Sequence, residues 1–209
     1  LDYLLGAFMD GGELVRLVSH PVATKTCHEK SDLIGVDRSR VIKTLYFAHK
    51  DNGNLYAVVV PDFGNVDLSS LSQILGFNAK KKLRLVPEEQ LVAGMRIGTC
   101  NPFIPSNCTS VTGIIFDKDL VGERRGVGDL DDFSVALGID TVSDHQLSIQ
   151  MNYATAFDLL DKRFPGLVMS APISYEREKA VTKFLTDHNV DYREVEHPEL
   201  AITVDEKRA

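Results

Sequence analysis

Two β-rich runs, Val41 to Phe47 and Leu55 to Val60, stand on either side of Asp51-Asn52-Gly53-Asn54. Runs dense in β-branched and aromatic residues, joined by a tetrapeptide that tolerates left-handed backbone, form an antiparallel hairpin. A hairpin in the first third of the chain excludes a sheet built only from parallel, doubly wound units. Further strands are expected at Leu14 to Val18, Lys82 to Val86, Val111 to Phe116, Phe133 to Leu137 and Gln146 to Met151. Helices are expected over Leu1 to Met9, ended by Gly11-Gly12, and after Asp67, whose helix gathers Leu68, Leu71, Ile74 and Leu75 on one face and stops at Gly76. A short helix over Glu88 to Ala93 would be opened by Pro87 and closed by Gly94. Asn152 would cap a last helix, ending before Pro165-Gly166. Strands and helices thus alternate irregularly. The expected fold class is α/β of the mixed α+β kind: a mixed, barrel-like β-sheet surrounded by helices.

The chain has 209 residues, 44% hydrophobic and 25% charged, with a formal net charge of −7. That is enough apolar material for a sizeable core. The negative balance argues against indiscriminate nucleic-acid binding but leaves room for local basic patches. Lys80-Lys81-Lys82 with Arg84 forms one such cluster and Arg124-Arg125 another. They are read as solvated surface or as contacts to a phosphate backbone. Three cysteines, Cys27, Cys100 and Cys108, fit a reducing, cytoplasmic setting better than a disulfide framework. No apolar run reaches the length of a membrane span. The cysteines and histidines show no metal-ligand spacing, so no metal is expected. The start lacks both Met and a signal pattern and reads as a trimmed or internal piece.

A repeat sets the expected domain organisation. His20-Pro21 is followed by Thr26, Glu29 and Lys30; His197-Pro198 is followed, at the same offsets, by Thr203, Glu206 and Lys207. Each Thr with its Glu three residues on makes a capping box. Residues 1–168 are therefore expected to form one domain. Residues 169–209 would be a helix-strand segment that repeats the N-terminal pattern, as the start of a second module or a packing arm.

Few residues invite chemistry. Period-2 alternation puts Lys43 on one face with Val41, Leu45 and Phe47, an unusual place for an ammonium group. It is read either as a functional cation at a pocket mouth or as a stem that snorkels to solvent. The segment Gly98-Thr99-Cys100-Asn101-Pro102-Phe103 cannot be regular structure. Gly98 allows close backbone approach and Pro102 stiffens the exit, so its N–H groups can form an anion nest, or it is a plain connection. Cys100 is a possible nucleophile or a small apolar side chain. His20 is a base, a substrate contact or a structural turn residue.

Taken together these segments resemble the YbaK and prolyl-tRNA synthetase-associated editing domain family. The matching pieces run in order: His20-Pro21 with Thr26 and Glu29, Val41-Ile-Lys43-Thr-Leu, Leu55 to Pro61, Val66-Asp-Leu with Leu75-Gly76, Lys81 to Val86 with Pro87-Glu88-Glu89, Gly98 to Phe103, and Asp117 after its strand. They cover about residues 14 to 150. Phe103-Ile104 departs from the pattern, which commonly has glycine after the loop's proline. The resemblance implies an aminoacyl-tRNA deacylase, a hydrolase of the ester on mischarged tRNA, acting within a synthetase or as a free protein beside one. It implies Lys43, Gly98 and Pro102 as the catalytic elements. His20, Thr26, Thr99, Cys100, Asn101 and Asp117 would contact substrate, and Lys80, Lys81, Lys82 and Arg84 the tRNA backbone. No cofactor and no protein nucleophile are implied, because a hydroxyl of the terminal ribose assists the attack. A catalytically weak module that only recognises aminoacyl-tRNA, or docks on a synthetase or signalling partner, is the alternative. A thiol hydrolase using Cys100 is a third.

Overall fold

The computed structural model describes residues 15–24, 26–62, 64–77, 82–92, 95–118, 130–134 and 147–176. The chain divides into two compact units, Leu1–Glu176 and Arg177–Ala209, and the described residues all belong to the first. The expected helix over Leu1 to Met9, Lys80, Lys81, Arg124-Arg125 and the second copy of the repeat lie outside them.

The hairpin forms as its turn chemistry dictates. Strand β2 (Val41–His49) pairs antiparallel with β3 (Leu55–Pro61), with Lys43 opposite Val60 and Ala48 opposite Leu55. Gly53 closes the turn at φ +74°, a backbone region that costs a side chain about 1–2 kcal/mol. Outside the hairpin, β1 (Val15–Ser19) pairs antiparallel with β8 (Leu147–Met151), β8 with β7 (Asp131–Ser134), and β7 lies parallel to β2. On the far side β3 is parallel to β6 (Val111–Asp117), and β6 to β9 (Val168–Ala171). The order is β1-β8-β7-β2-β3-β6-β9, with β5 (Leu83–Leu85) also on β2. Strands β4 (Gly64–Val66) and β10 (Ser174–Glu176) form a separate antiparallel pair. This is the mixed α+β architecture expected.

Alternation along the central strands supplies a core on each face. Ala57 and Val59 of β3 join Tyr46, Ile114 and Phe116 in one cluster, with Tyr153, Ala156 and Leu160 of helix α3 (Tyr153–Arg163) packed into it. Val58 and Val60 join Phe47 and Ile115 in the other, against Leu71 of α2 (Leu68–Ile74). A strand buried on both faces has to read as the unbroken apolar run seen in Leu55 to Val60. Asp67 and Asn152 cap α2 and α3, each accepting from a backbone N–H two residues on. The expected helix at Glu88 is a single 3-10 turn, Glu88–Gln90. It ends because Leu91 is extended, and Val92 beside it is drawn into the core.

One feature of β2 positions the site. Both β7 and β5 lie on the same edge of this strand. β7 pairs at Val41 and Ile42, and β5 pairs at Phe47 to His49. The edge is forked, and neither strand pairs with residues 43–45 between them.

Candidate active site

A cavity of about 220 Å3 lies at this fork. Lys43, Thr44 and Leu45 of β2 line it, with Leu85 and Val86 on the β5 side. Thr26, Cys27 and Lys30 of helix α1 (Cys27–Ile34) and its cap form another wall, and Gly98 with Cys100 form a third. Lys43 and the glycine bend, 55 residues apart in sequence, therefore border one hollow.

Lys43 is half-buried, and its Nζ donates to the main-chain oxygen of Asp62. Burial lowers its pKa from the ordinary lysine value, while Asp62 and then Cys27 work against that fall.

The bend is held from within. Gly98 sits at φ +89°. Thr99 is fully buried; its N–H donates to Arg96 C=O at 2.9 Å and its Oγ1 to the same oxygen at 3.0 Å. Asn101 Oδ1 accepts from Phe103 N–H and its Nδ2 donates to Thr99 C=O, both at 3.0 Å. Tyr46 of β2 donates its hydroxyl to Asn101 C=O at 2.8 Å, which ties the bend to the strand that carries Lys43. Phe103 and Ile104 anchor the exit in the core, Phe103 lying edge-on to Phe133 at 5.5 Å. Thr99, Asn101 and Pro102 thus shape the bend without lining the cavity. Cys100 does line it, and burial, then Glu88, raise its pKa to about 11. A thiol so raised is protonated at neutral pH, which counts against a thiolate nucleophile.

Other expected residues stand elsewhere. His20 is buried, with Nε2 3.2 Å from Ser148 Oγ and Nδ1 3.2 Å from Val22 C=O. It does not line the cavity, and burial lowers its pKa. Asp117 is buried at the end of β6, where its main-chain oxygen accepts from Tyr153 OH at 3.1 Å; it is also outside the cavity wall. Lys82 pairs with Asp51, and Arg84 donates to Gln90 at 2.6 Å. Both basic side chains are on the surface.

Sequence reasoning missed Lys30, Cys27 and Asp62. Lys30 is only 3% exposed. Its Nζ donates to Ser148 Oγ at 2.8 Å and lies 3.3 Å from Asp132 Oδ2. Its position one turn beyond the Thr26 cap was the available signal. Leu85 and Ile97, 58% and 67% exposed, give the cavity an apolar rim. Among the described residues no cluster of three or more His, Cys, Asp and Glu side chains could hold a metal ion, and no helix is long and apolar enough to cross a membrane.

Residues 21–127 match the profile of the aminoacyl-tRNA editing domain family. The chain belongs to this family. No curated protein matches it. Among solved structures, the editing domain is similar to the hypothetical protein APE2540, at 19% identity and a TM-score of 0.62, over 83% of this chain and 99% of that one. It is also similar to a candidate trans-editing enzyme for prolyl tRNA synthetase, at 19% identity and TM-score 0.55, over 83% and 96%. A third likeness, at 12% identity and TM-score 0.51, is to a candidate signal transduction protein from Marinobacter aquaeolei VT8, covering 94% of this chain and 38% of that one. At these identities the likeness is one of fold.

Proposed function

We propose that this editing domain hydrolyses the ester that joins a wrongly attached amino acid to tRNA. The observation that carries the reading is that Lys43 and the Gly98 bend line the same cavity. The ammonium of Lys43 and the backbone of the bend bind and polarise the acyl-adenosine end. Water adds to the ester carbonyl carbon, and the negative charge that develops on its oxygen is met by these donors. Collapse breaks the bond to the ribose oxygen, which takes a proton, and the amino acid leaves as a carboxylate. A ribose hydroxyl neighbouring the ester assists the attack, so no thiol or hydroxyl of the protein is consumed. Each well-placed oxyanion donor supplies about 3 kcal/mol, enough for an ester that is already activated.

A hollow of about 220 Å3 is smaller than the roughly 300–1,000 Å3 of sites for drug-sized ligands. It suits an aminoacyl group, with the adenine outside against Leu85 and Ile97. Small size would reject the larger, correct amino acid, where binding alone separates one methylene by only about 1–3 kcal/mol. The tRNA is the partner, Lys82 and Arg84 are its backbone contacts, and the setting is cytoplasmic.

The test is a panel of alanine, serine, cysteine and proline esters on several tRNAs, with wild type, Lys43→Ala and Cys100→Ala. Wild type is expected to release at least one amino acid. Lys43→Ala is expected to lose about a hundredfold or more in kcat/KM, and Cys100→Ala to keep turnover. No turnover by wild type would leave a module that only binds aminoacyl-tRNA.

A further inference from the structure

Asp62 lies one residue past β3, and two other elements meet on it. Its main-chain oxygen accepts from Lys43 of β2. Its carboxylate accepts from Arg38 Nε, in the 3-10 turn Arg38–Arg40; its charge also acts on the Cys27 thiol at the first residue of α1. Cys27 and Lys43 both border the cavity, whereas Asp62 stands behind them. We infer that Asp62 is the positioning residue of this site: it fixes the Lys43 ammonium on the cavity wall, and Arg38 pins it in place. The inference rests on the deacylase reading above.

The division of labour follows from donor counts. An ammonium has three N–H donors and no acceptor. Asp62 takes one, which fixes the head of an otherwise mobile side chain and leaves two for a substrate. Charge points the same way. The groups facing Lys43 are Asp62, Cys27 and Arg38; the first two favour its charged form and Arg38 opposes it. Burial disfavours the charged form, and the carboxylate opposes that fall. Cys27 responds oppositely: burial first, then Asp62, raises its pKa to about 12. It stays a neutral thiol, and it is no nucleophile.

Two variants of the full chain separate positioning from plain structural support. Asp62→Asn keeps the main-chain oxygen and the side-chain shape but removes the charge. Because the main-chain bond to Lys43 survives, its kcat/KM is expected to fall by well under the roughly hundredfold of a misplaced reacting group, and the alkaline limb of its pH profile to move to lower pH. Arg38→Gln, at a half-exposed side chain, removes the opposing charge and should move that limb to higher pH. A loss equal at all pH values, with the limb unmoved in both variants, would overturn the inference. A second readout needs no turnover. In protein carrying 13C-labelled lysine, with the signal assigned through Lys43→Met, Lys43 is expected to titrate lower in Asp62→Asn and higher in Arg38→Gln. If wild type hydrolyses no ester, the deacylase reading fails while this titration still decides the role of Asp62. An unshifted Lys43 would end it.

Discussion

Tyr46 links the two halves of the site at the level of a single atom. Its hydroxyl donates to Asn101 C=O, both groups buried, so the strand of Lys43 and the bend of Gly98 are held by one bond. Tyr46→Phe would leave that carbonyl without its partner. The expected cost is about 1–3 kcal/mol of stability, measured by urea denaturation, with KM rising more than kcat falls if the bend loosens. Lys43 was legible in the sequence because alternation placed a charge among apolar neighbours. Lys30 was not, since a lysine on a short polar helix normally lies in water, and only its side chain's reach to Ser148 of β8 and Asp132 of β7 buries it. Asp62 was hidden because its role runs partly through its main chain, which every residue type carries.

Among the elements, helix α1 and its cap supply Thr26, Cys27 and Lys30 to the cavity wall. The helix has eight residues, too short to persist without tertiary support, and its start is fixed by a complete capping box. Glu29 N–H donates to Thr26 Oγ1 and Thr26 N–H to Glu29 Oε2, each at 3.1 Å. Thr26→Ala is expected to cost about 0.5–2 kcal/mol, read by chemical denaturation. Hydrogen exchange should rise over Cys27 to Lys30 more than elsewhere. Caps, hairpin and helix stops were readable in the chain because each depends on neighbours within a few residues. The parallel pairings of β2 with β7 and β3 with β6 were not, because nothing local encodes them. Strand β7 was expected to begin at Phe133 and instead includes Asp131 and Asp132, residues that usually avoid strands. Their burial at 1% and 0% exposure belongs to the tertiary structure alone.

At the scale of the molecule, a buried polar network joins parts of the first unit that are far apart in sequence. His20 follows β1, Lys30 lies in α1, Asp132 in β7 and Ser148 in β8, and they meet through Lys30 and Ser148. Removing one charge of a buried pair leaves the other uncompensated. Lys30→Met is therefore expected to cost about 3–5 kcal/mol, whereas Lys30→Met with Asp132→Leu should recover much of that loss. A double-mutant cycle by denaturant unfolding gives the coupling, and additive effects would show that the pair is not energetically linked.

The forked edge of β2 has a consequence for how substrate choice can evolve. The span of the cleft along the strand is set by how many β2 residues separate the stretch paired to β7 from the stretch paired to β5. Inserting one residue there would turn every later side chain to the opposite face. The smallest tolerable step is two residues, about 6.6–6.8 Å of strand, more than a single methylene demands. On the proposed deacylase reading, fine discrimination between acyl groups must therefore drift through side-chain exchange on the surrounding walls, while changes of strand length would come as rare jumps between whole classes of amino acid.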